Sequence, residues 1–86
     1  MAKYKVELSN TAFKALKKIP TNDVNKILKI IHQFEKEPFP NGSIKLVGED
    51  ATYRVRIGDY RIIYEINNKI LLILVLKIGH RKEIYR

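Results

Sequence analysis

The N-terminal half of the chain begins with a strand-like alternation and continues with two stretches of helical periodicity. Apolar and charged residues alternate over residues 4–8, which predicts a half-buried strand. Apolar residues then recur at helical spacing as far as about Ile19, and Ser9 can serve as the N-cap of this helix. Pro20 ends the helix, because the residue before a proline is disfavoured in the helical conformation.

A second helix is predicted to begin among residues 21–23, where a side-chain cap and an early acidic residue are available. Its apolar positions at helical spacing are Val24, Ile27, Leu28, Ile31 and Phe34. Pro38 and Pro40 end this element, and the sequence PNGS that starts at Pro40 is typical of a turn. Together the two periodic stretches predict a helical hairpin.

Three strands separated by short turns are predicted in the C-terminal half. Residues 53–57 alternate, and the GD dipeptide that follows has the composition of a two-residue hairpin loop. Residues 60–66 form the return strand, and the NN dipeptide after it is a weaker turn signal, since asparagine tolerates positive φ. The apolar run over residues 70–78 predicts a last strand that is buried on both faces and central in the sheet.

The element order is therefore β-α-α-β-β-β, followed by a short C-terminal helical turn. Separate runs of helices and strands in this order are typical of the α+β class. We expect a single domain over residues 1–86, with the N-terminal helical hairpin packed on one face of a mainly antiparallel sheet.

The hairpin loop Gly58-Asp59 fixes a register for the two strands beside it. In this register Arg56 lies opposite Arg61, and both share a sheet face with Arg54, which we call the arginine face. The other face should meet the helices and carries Tyr53, Val55, Ile57, Tyr60, Ile62 and Tyr64. Like charges directly opposed on two strands cost roughly 0.2–1 kcal/mol. Solvation, neutralisation by Asp59 or Glu65, or a bound phosphate would each relieve this repulsion.

A two-residue loop at Asn67-Asn68 would place Arg61 opposite Leu74. The arginine face would then also hold an apolar strip, which consists of Leu72, Leu74 and Leu76. Exposed apolar surface of this kind is typical of interaction sites. We expect the C-terminal tail, a partner protein or both to cover it.

The net charge of the chain indicates the class of partner that it binds. The formal net charge is +8 and the pI is near 9.8, which suits a polyanionic partner, although basic charge also serves solubility. All five arginines lie in the second half of the chain, whereas the first half carries eight of the twelve lysines. Arginine binds phosphate through two parallel hydrogen bonds more readily than lysine does. The second half is therefore the candidate working half.

Several chemistries are excluded by what the sequence lacks. There is no cysteine, which excludes disulfides and thiolate zinc sites and favours a reducing cytoplasm. The two histidines have no supporting acidic cluster, and no glycine-rich phosphate loop or serine nucleophile motif occurs, so we expect no metal and no cofactor. The N-terminus lacks a signal-peptide core, and the run ILLILVL is far shorter than the about 20 residues of a membrane helix.

The C-terminal tail IGHRKEIYR contains the remaining candidate chemistry. Gly79 should let the chain turn away from the last strand, close to the strand that carries Arg61. His80 is a candidate because histidine is the residue type suited to proton transfer near neutrality, and Arg81 can stabilise a phosphoryl transition state. Tyr85 can stack on a base or donate a hydrogen bond. The alternatives are an incidental surface histidine and a tyrosine that only packs.

These residues together resemble the RelE/ParE superfamily of toxins from toxin–antitoxin systems. The resemblance covers nearly the whole chain and is carried by KLVG from Lys45, YRVRIGDYRIIYEI from Tyr53 and IGHRKEIYR from Ile78. The chain looks more similar to the RelE branch, whose members cut mRNA in the ribosomal A site without a metal. The resemblance thus implies a RelE-like, microbial RNase-type fold and a metal-independent endoribonuclease.

The resemblance also implies roles for particular residues. Arg54 and Arg56 stand where the family often has catalytic lysines, Arg61 matches the arginine that holds phosphate, and Arg81 and Tyr85 match the functional pair of the tail. Lys45, Lys82 and Arg86 lie in the same motifs and are further candidates for binding RNA. Arginine stays protonated and is a poor general base, so His80 is the better candidate for proton transfer.

The implied reaction is attack of a 2′-hydroxyl on the scissile phosphate, which inhibits translation. The implied partners are the ribosome with A-site mRNA and an acidic antitoxin on the leucine strip, with operator DNA bound only through the antitoxin complex and no membrane. Alternatives are a ParE-like inhibitor of gyrase, a catalytically weak toxin fold that acts as a co-repressor, and a non-toxic nucleic-acid-binding module.

Overall fold

A five-stranded sheet carries two helices on one of its faces. The computed structural model describes residues 3–48 and 51–82. No helix among these residues is long and apolar enough to cross a membrane. The elements in chain order are β1 (Lys5–Leu8), α1 (Asn10–Leu16), α2 (Thr21–Gln33), β2 (Ile44–Lys45), β3 (Thr52–Ile57), β4 (Tyr60–Asn67) and β5 (Leu72–His80).

The sheet has the strand order β1-β5-β4-β3-β2. β1 runs parallel to β5, and every other neighbouring pair is antiparallel. The predicted α+β class, with a helical hairpin on a mainly antiparallel sheet, is confirmed. β4 occupies the centre, and β5 lies between β1 and β4 rather than in the centre itself. β2 was not predicted, because two residues are too few to show a period.

The two helices begin close to the predicted positions but end earlier. Ser9 is the N-cap of α1, and its Oγ accepts a hydrogen bond from the Ala12 N–H at 3.0 Å. The helix ends at Leu16 rather than near Ile19. α2 starts at Thr21 with Pro20 at the cap position and without a side-chain cap, so the predicted polar cap is wrong. A proline fixes φ in the range that a helix start requires, which explains this boundary.

The core fills the space between the helices and the facing side of β3, β4 and β5. Tyr64 lies at its centre, fully buried, with its ring 4.3 Å from that of Phe34 and 5.9 Å from that of Tyr53. The other buried residues of this cluster are Ala12, Ile27, Ile31, Val55, Ile62, Ile66, Ile73, Val75 and Ile78. Both helices pack on this side, so among the described residues no helix covers the opposite side of the sheet.

The turn between β4 and β5 is longer than the predicted two residues. Asn67 Oδ1 accepts hydrogen bonds from the N–H groups of Lys69 and Ile70, at 3.0 and 3.3 Å, and Leu71 adopts a positive φ of 51°. Pairing resumes with Asn67 opposite Leu72. The side chain of an asparagine can organise such a turn, and here it uses four residues where two were expected.

A β-bulge further shifts the pairing of β4 with β5. Tyr64 pairs with Val75, but the preceding Ile63 pairs with Lys77, so Leu76 is the extra residue. Arg61 consequently lies opposite Gly79 and not opposite Leu74, which corrects the predicted register. A one-residue bulge also reverses which residues of β5 share a face, since side chains alternate along a strand.

Candidate functional site

The hairpin of β3 and β4 has the register that the sequence predicts. Arg56 pairs with Arg61 and Arg54 with Ile63, so the three arginines share the sheet face away from the helices. Gly58 supplies the positive φ of 57° that begins the loop. A glycine takes this conformation without the steric cost of a side chain, so it holds the two opposed arginines in place.

The arginines line a shallow depression of 140 Å³ together with Ile44. Arg56 Nε donates to the Gly58 carbonyl at 3.3 Å, and Arg61 Nη1 donates to the Tyr60 carbonyl at 3.4 Å. These are the hydrogen bonds of both guanidiniums to the described residues, and both are long. Each guanidinium has five N–H donors, so most of their donor capacity is open to a ligand.

Neutralisation by Asp59 or Glu65, one of the alternatives that the sequence leaves open, is not seen among the described residues. Among residues 3–48 and 51–82, the ion pairs within 4.0 Å are Lys3–Glu35, Lys5–Glu7 and His32–Glu35, so neither Asp59 nor Glu65 pairs with Arg56 or Arg61. Ile63, the register partner of Arg54, is on the same sheet face and is 8% exposed. Two opposed cations of this kind have the charge and the donors that binding of an anion such as phosphate requires.

Ile44 also lines the depression, although no sequence pattern predicted this. It pairs with Arg54 and is 52% exposed, which places an apolar side chain at the rim of the basic site. Lys45, a predicted RNA-binding residue, pairs instead with Tyr53 and therefore lies on the other sheet face. The structure does not bring Lys45 together with the arginines.

The end of β5 lies beside the arginine hairpin. Gly79 is the register partner of Arg61, and the strand continues to His80, so the predicted turn at Gly79 is wrong. The Arg81 N–H donates to the Asp59 carbonyl at 2.8 Å. This hydrogen bond holds the backbone of Arg81 at the tip of the β3–β4 hairpin, at Asp59, which is two residues before Arg61.

His80 lies on the opposite face from the arginines. It pairs with Tyr60, and its ring packs edge-on against the Tyr60 ring with centroids 5.6 Å apart. Its Nδ1 accepts a hydrogen bond from the Lys82 N–H at 3.2 Å. The bulge at Leu76 is the reason, because without it His80 would share the face of Arg61. This geometry gives no support to proton transfer by His80 at the arginine site.

The remaining predicted RNA-binding residues lie at the end of the chain. Lys82 is exposed in the turn after β5, and its backbone supports His80 as described above. Tyr85 and Arg86 lie outside the described residues, as does the predicted C-terminal helical turn. Their roles stay predictions.

The predicted leucine strip is partly on the arginine face. Leu72 pairs with Asn67 and Leu74 with Glu65, which puts both on that face but at the far end of β4 from Arg61. Leu76 is the bulge residue and has no register partner. All three side chains are half-buried. The strip and the arginine depression are therefore neighbouring but separate surfaces.

Comparison with known proteins identifies the family to which this chain is similar. Residues 6–85 match the family described as ParE toxin of type II toxin–antitoxin system, parDE. The chain is 31% identical to a Methanocaldococcus jannaschii protein named as toxin RelE1, over 98% of this chain and 97% of that protein.

Solved structures agree with this match. The archaeal RelE–RelB complex from Pyrococcus horikoshii contains a chain with a TM-score of 0.83 and 35% identity, covering 94% of this chain and 98% of that one. The RelBE2 toxin–antitoxin complex of Mycobacterium tuberculosis gives a TM-score of 0.80 at 26% identity, covering 92% of this chain and 99% of that one. The chain therefore belongs to the RelE/ParE superfamily of toxins from type II toxin–antitoxin systems.

Proposed function

We propose that this toxin is a metal-independent endoribonuclease that cuts mRNA on the ribosome. The observation that carries the proposal is the arginine depression, in which Arg56 and Arg61 oppose each other without an acidic partner among the described residues. The similarity to proteins named RelE supports the assignment of mRNA rather than another polyanion.

In the proposed reaction the 2′-oxygen bonds to the adjacent phosphorus while the bond from phosphorus to the 5′-oxygen breaks. The proton of the 2′-hydroxyl passes to water, and a water molecule protonates the leaving 5′-oxygen. The products are a 2′,3′-cyclic phosphate and a 5′-hydroxyl end. Such a reaction gains most from stabilisation of the negative charge that develops on the phosphoryl oxygens.

The residues take different parts in this reaction. Arg61 and Arg81 stabilise the charged transition state, since the Arg81 backbone is bound to Asp59, two residues before Arg61. Arg54 and Arg56 hold the flanking phosphates. Tyr85 positions a base. Arginine does not exchange protons near neutral pH, so the protein supplies electrostatics and the ribosome orients the 2′-hydroxyl for attack.

Cell-free translation with the purified toxin tests this proposal. We expect cleavage of mRNA only when it is engaged with the ribosome, at sites that lie in the A-site codon, with 2′,3′-cyclic phosphate ends. Naked mRNA of the same sequence serves as the control. Intact mRNA under conditions in which translation stops would exclude the endonuclease.

An acidic antitoxin is the proposed protein partner. The relatives from Pyrococcus horikoshii and Mycobacterium tuberculosis are described as toxin–antitoxin complexes. In this chain the half-buried Leu72 and Leu74 offer an apolar contact beside a strongly basic face, which suits an amphipathic acidic segment. Operator DNA would be bound only through that complex, in which the antitoxin masks the arginines.

Replacing Leu74 by asparagine should weaken antitoxin binding by about 10- to 30-fold, since an apolar contact of roughly 1.4–2 kcal/mol is lost. The measurement is calorimetric titration with the antitoxin that co-purifies from the native host. Leu28→Asn is the matched control, because Leu28 is 42% exposed on α2, on the opposite side of the sheet. Equal affinities for the two variants would place the antitoxin elsewhere.

A ParE-like inhibitor of gyrase is the second candidate function. The matched family is described as ParE toxin. This chain also has arginines, Arg54 and Arg56, at two positions where the RelE branch often has lysines. The two functions differ in what fails first after induction. A DNA-damage reporter that responds before protein synthesis stops would favour gyrase, whereas an early stop in protein synthesis with cut mRNA would favour the ribosome.

A further inference from the structure

A second pocket lies on the helix side of the sheet, at the same end as the arginine hairpin. Its volume is 260 Å³, and it is bounded by the turn after α1 and by the adjoining ends of β4 and β5. Aromatic and basic groups come from Tyr60, His80 and Lys18, and the apolar wall from Ala15, Ile19 and Ile78. Nothing in the proposed cleavage reaction uses this pocket.

The chemistry of the pocket suits a flat ring that carries hydrogen-bond acceptors. The rings of Tyr60 and His80 stand nearly perpendicular, at 80°, and offer a stacking surface beside aliphatic side chains. Because His80 Nδ1 accepts from the Lys82 N–H, the neutral imidazole carries its proton on Nε2, which is a donor. The ammonium of Lys18 contributes further donors.

A single strand backbone separates this pocket from the arginine site. Gly79 lines the pocket and is also the register partner of Arg61 on the other face. Tyr60 and Arg61 are consecutive in β4 and point to opposite faces. A chain molecule held by the arginines at this end of the sheet can therefore reach the pocket by passing around the hairpin tip.

We propose that this pocket receives one unpaired nucleobase of the RNA strand whose backbone lies on the arginine face. The proposal rests on the proposed function, because it takes the arginine ligand to be RNA. The volume lies just below the about 300–1,000 Å³ of pockets for drug-sized ligands, which suits a single base. Donors from Lys18 and His80 favour bases with a carbonyl oxygen over adenine, which has none, and among the carbonyl-bearing bases the volume suits the smaller pyrimidines uracil and cytosine better than guanine.

Binding of non-cleavable RNA tests the pocket directly. The probes are fluorescein-labelled 2′-O-methyl hexanucleotides of uridine, cytidine and adenosine, titrated with the full chain and followed by anisotropy at several salt concentrations. The pocket variants are Tyr60→Leu, His80→Leu and Lys18→Gln. Phe13→Leu and Lys14→Gln are matched controls on α1, since neither residue lines the pocket.

The wild type should bind the uridine and cytidine probes more tightly than the adenosine probe. Loss of the Tyr60 ring should weaken uridine binding by about 5- to 100-fold, the range for removal of one stacking contact. It should also leave the salt dependence unchanged. Arg61→Gln should instead weaken all three probes and reduce the salt slope by about one, because it removes a phosphate contact.

The control variants also show whether the pocket itself contributes to RNA binding. Tyr60 packs against the core, so circular dichroism must first show that the Tyr60→Leu variant is folded. His80→Leu removes the other ring of the pocket and tests base binding independently of Tyr60. The proposal is overturned if the pocket variants bind the three probes like Phe13→Leu and Lys14→Gln. It is also overturned if adenosine binds as tightly as uridine.

This outcome is independent of the cleavage assay. If uridine binding depends on Tyr60 but ribosome-bound mRNA stays intact, the base-binding proposal stands and the endonuclease proposal is wrong. If mRNA is cut but RNA affinity does not depend on Tyr60, His80 or Lys18, the endonuclease proposal stands and the base-binding proposal is wrong.

Discussion

We expect the Arg61→Gln variant to cut ribosome-bound mRNA at least about 100-fold more slowly than the wild-type toxin. Arg61 pairs with Arg56 across the hairpin and lines the depression together with Ile44 and Arg54. Removal of one preorganised donor to a developing oxyanion costs about 100- to 1,000-fold in rate. Single-turnover cleavage in a reconstituted translation system, with the toxin in excess over ribosome-bound mRNA, measures this rate.

Two further variants separate charge from geometry. Arg61→Lys should lose about 10-fold, because lysine keeps the charge but cannot form two parallel hydrogen bonds to a phosphate. Lys29→Gln removes an exposed charge from α2, on the opposite side of the sheet, and serves as the control. If Arg61→Gln and Lys29→Gln cleave at the same rate, the arginine depression is not the catalytic site.

A reaction of this kind places unusual weight on positioning. The guanidiniums of the site remain protonated throughout, so they cannot remove the proton of the 2′-hydroxyl. His80, which the sequence suggested for proton transfer, packs on Tyr60 on the opposite face of the sheet. Electrostatic stabilisation and orientation must then supply most of the rate enhancement, which explains why activity would require the ribosome.

The arginine face could be predicted from sequence because local chemistry determines it. A glycine that adopts positive φ fixes a two-residue loop, and a two-residue loop fixes every pair of β3 and β4. The N-cap of α1 was predictable for the same reason, since the Ser9 hydroxyl bonds to an N–H three residues away. The open face of the sheet then follows from alternation alone.

The position of His80 could not be predicted, because it depends on two features without a sequence signal. The Asn67 side chain lengthens the β4–β5 turn, and the bulge at Leu76 inserts one residue. The longer turn moves the leucine strip away from Arg61, and the bulge reverses the faces of the residues after it. The charged and apolar residues of β5 are compatible with pairing in either register, so only tertiary packing selects the observed register.

The second large effect concerns stability in alkaline solution and centres on Tyr64. Its side chain is fully buried, and its hydroxyl donates to the Pro38 carbonyl at 2.9 Å. Burial, partly offset by a hydrogen bond with the Ser43 side chain and reinforced by the charge of Tyr53, raises the pKa of Tyr64 from 10.0 to about 12. The folded state therefore holds this proton more tightly than the unfolded state does.

The sign of the pH dependence follows from that difference in pKa. Below pH 10 the hydroxyl is protonated in both states, and its contribution to stability is fully present. As the pH rises from 10 towards 12, the unfolded chain loses the proton and the folded chain keeps it, so the free energy of unfolding falls. The loss should reach about 2 kcal/mol near pH 12, at 1.36 kcal/mol per unit of pKa difference.

Tyr64→Phe isolates this contribution and should reverse the order of stability with pH. At pH 8 the variant should be less stable than the wild type by about 1 kcal/mol, because the Pro38 carbonyl loses its hydrogen bond. Near pH 12 the variant should be the more stable protein by about 1 kcal/mol, since only the wild type has lost the proton-linked term. Urea unfolding of both proteins at intervals between pH 8 and pH 12 measures the crossover. A difference that stays constant over this range would show that the Tyr64 hydroxyl titrates alike in the folded and unfolded chains.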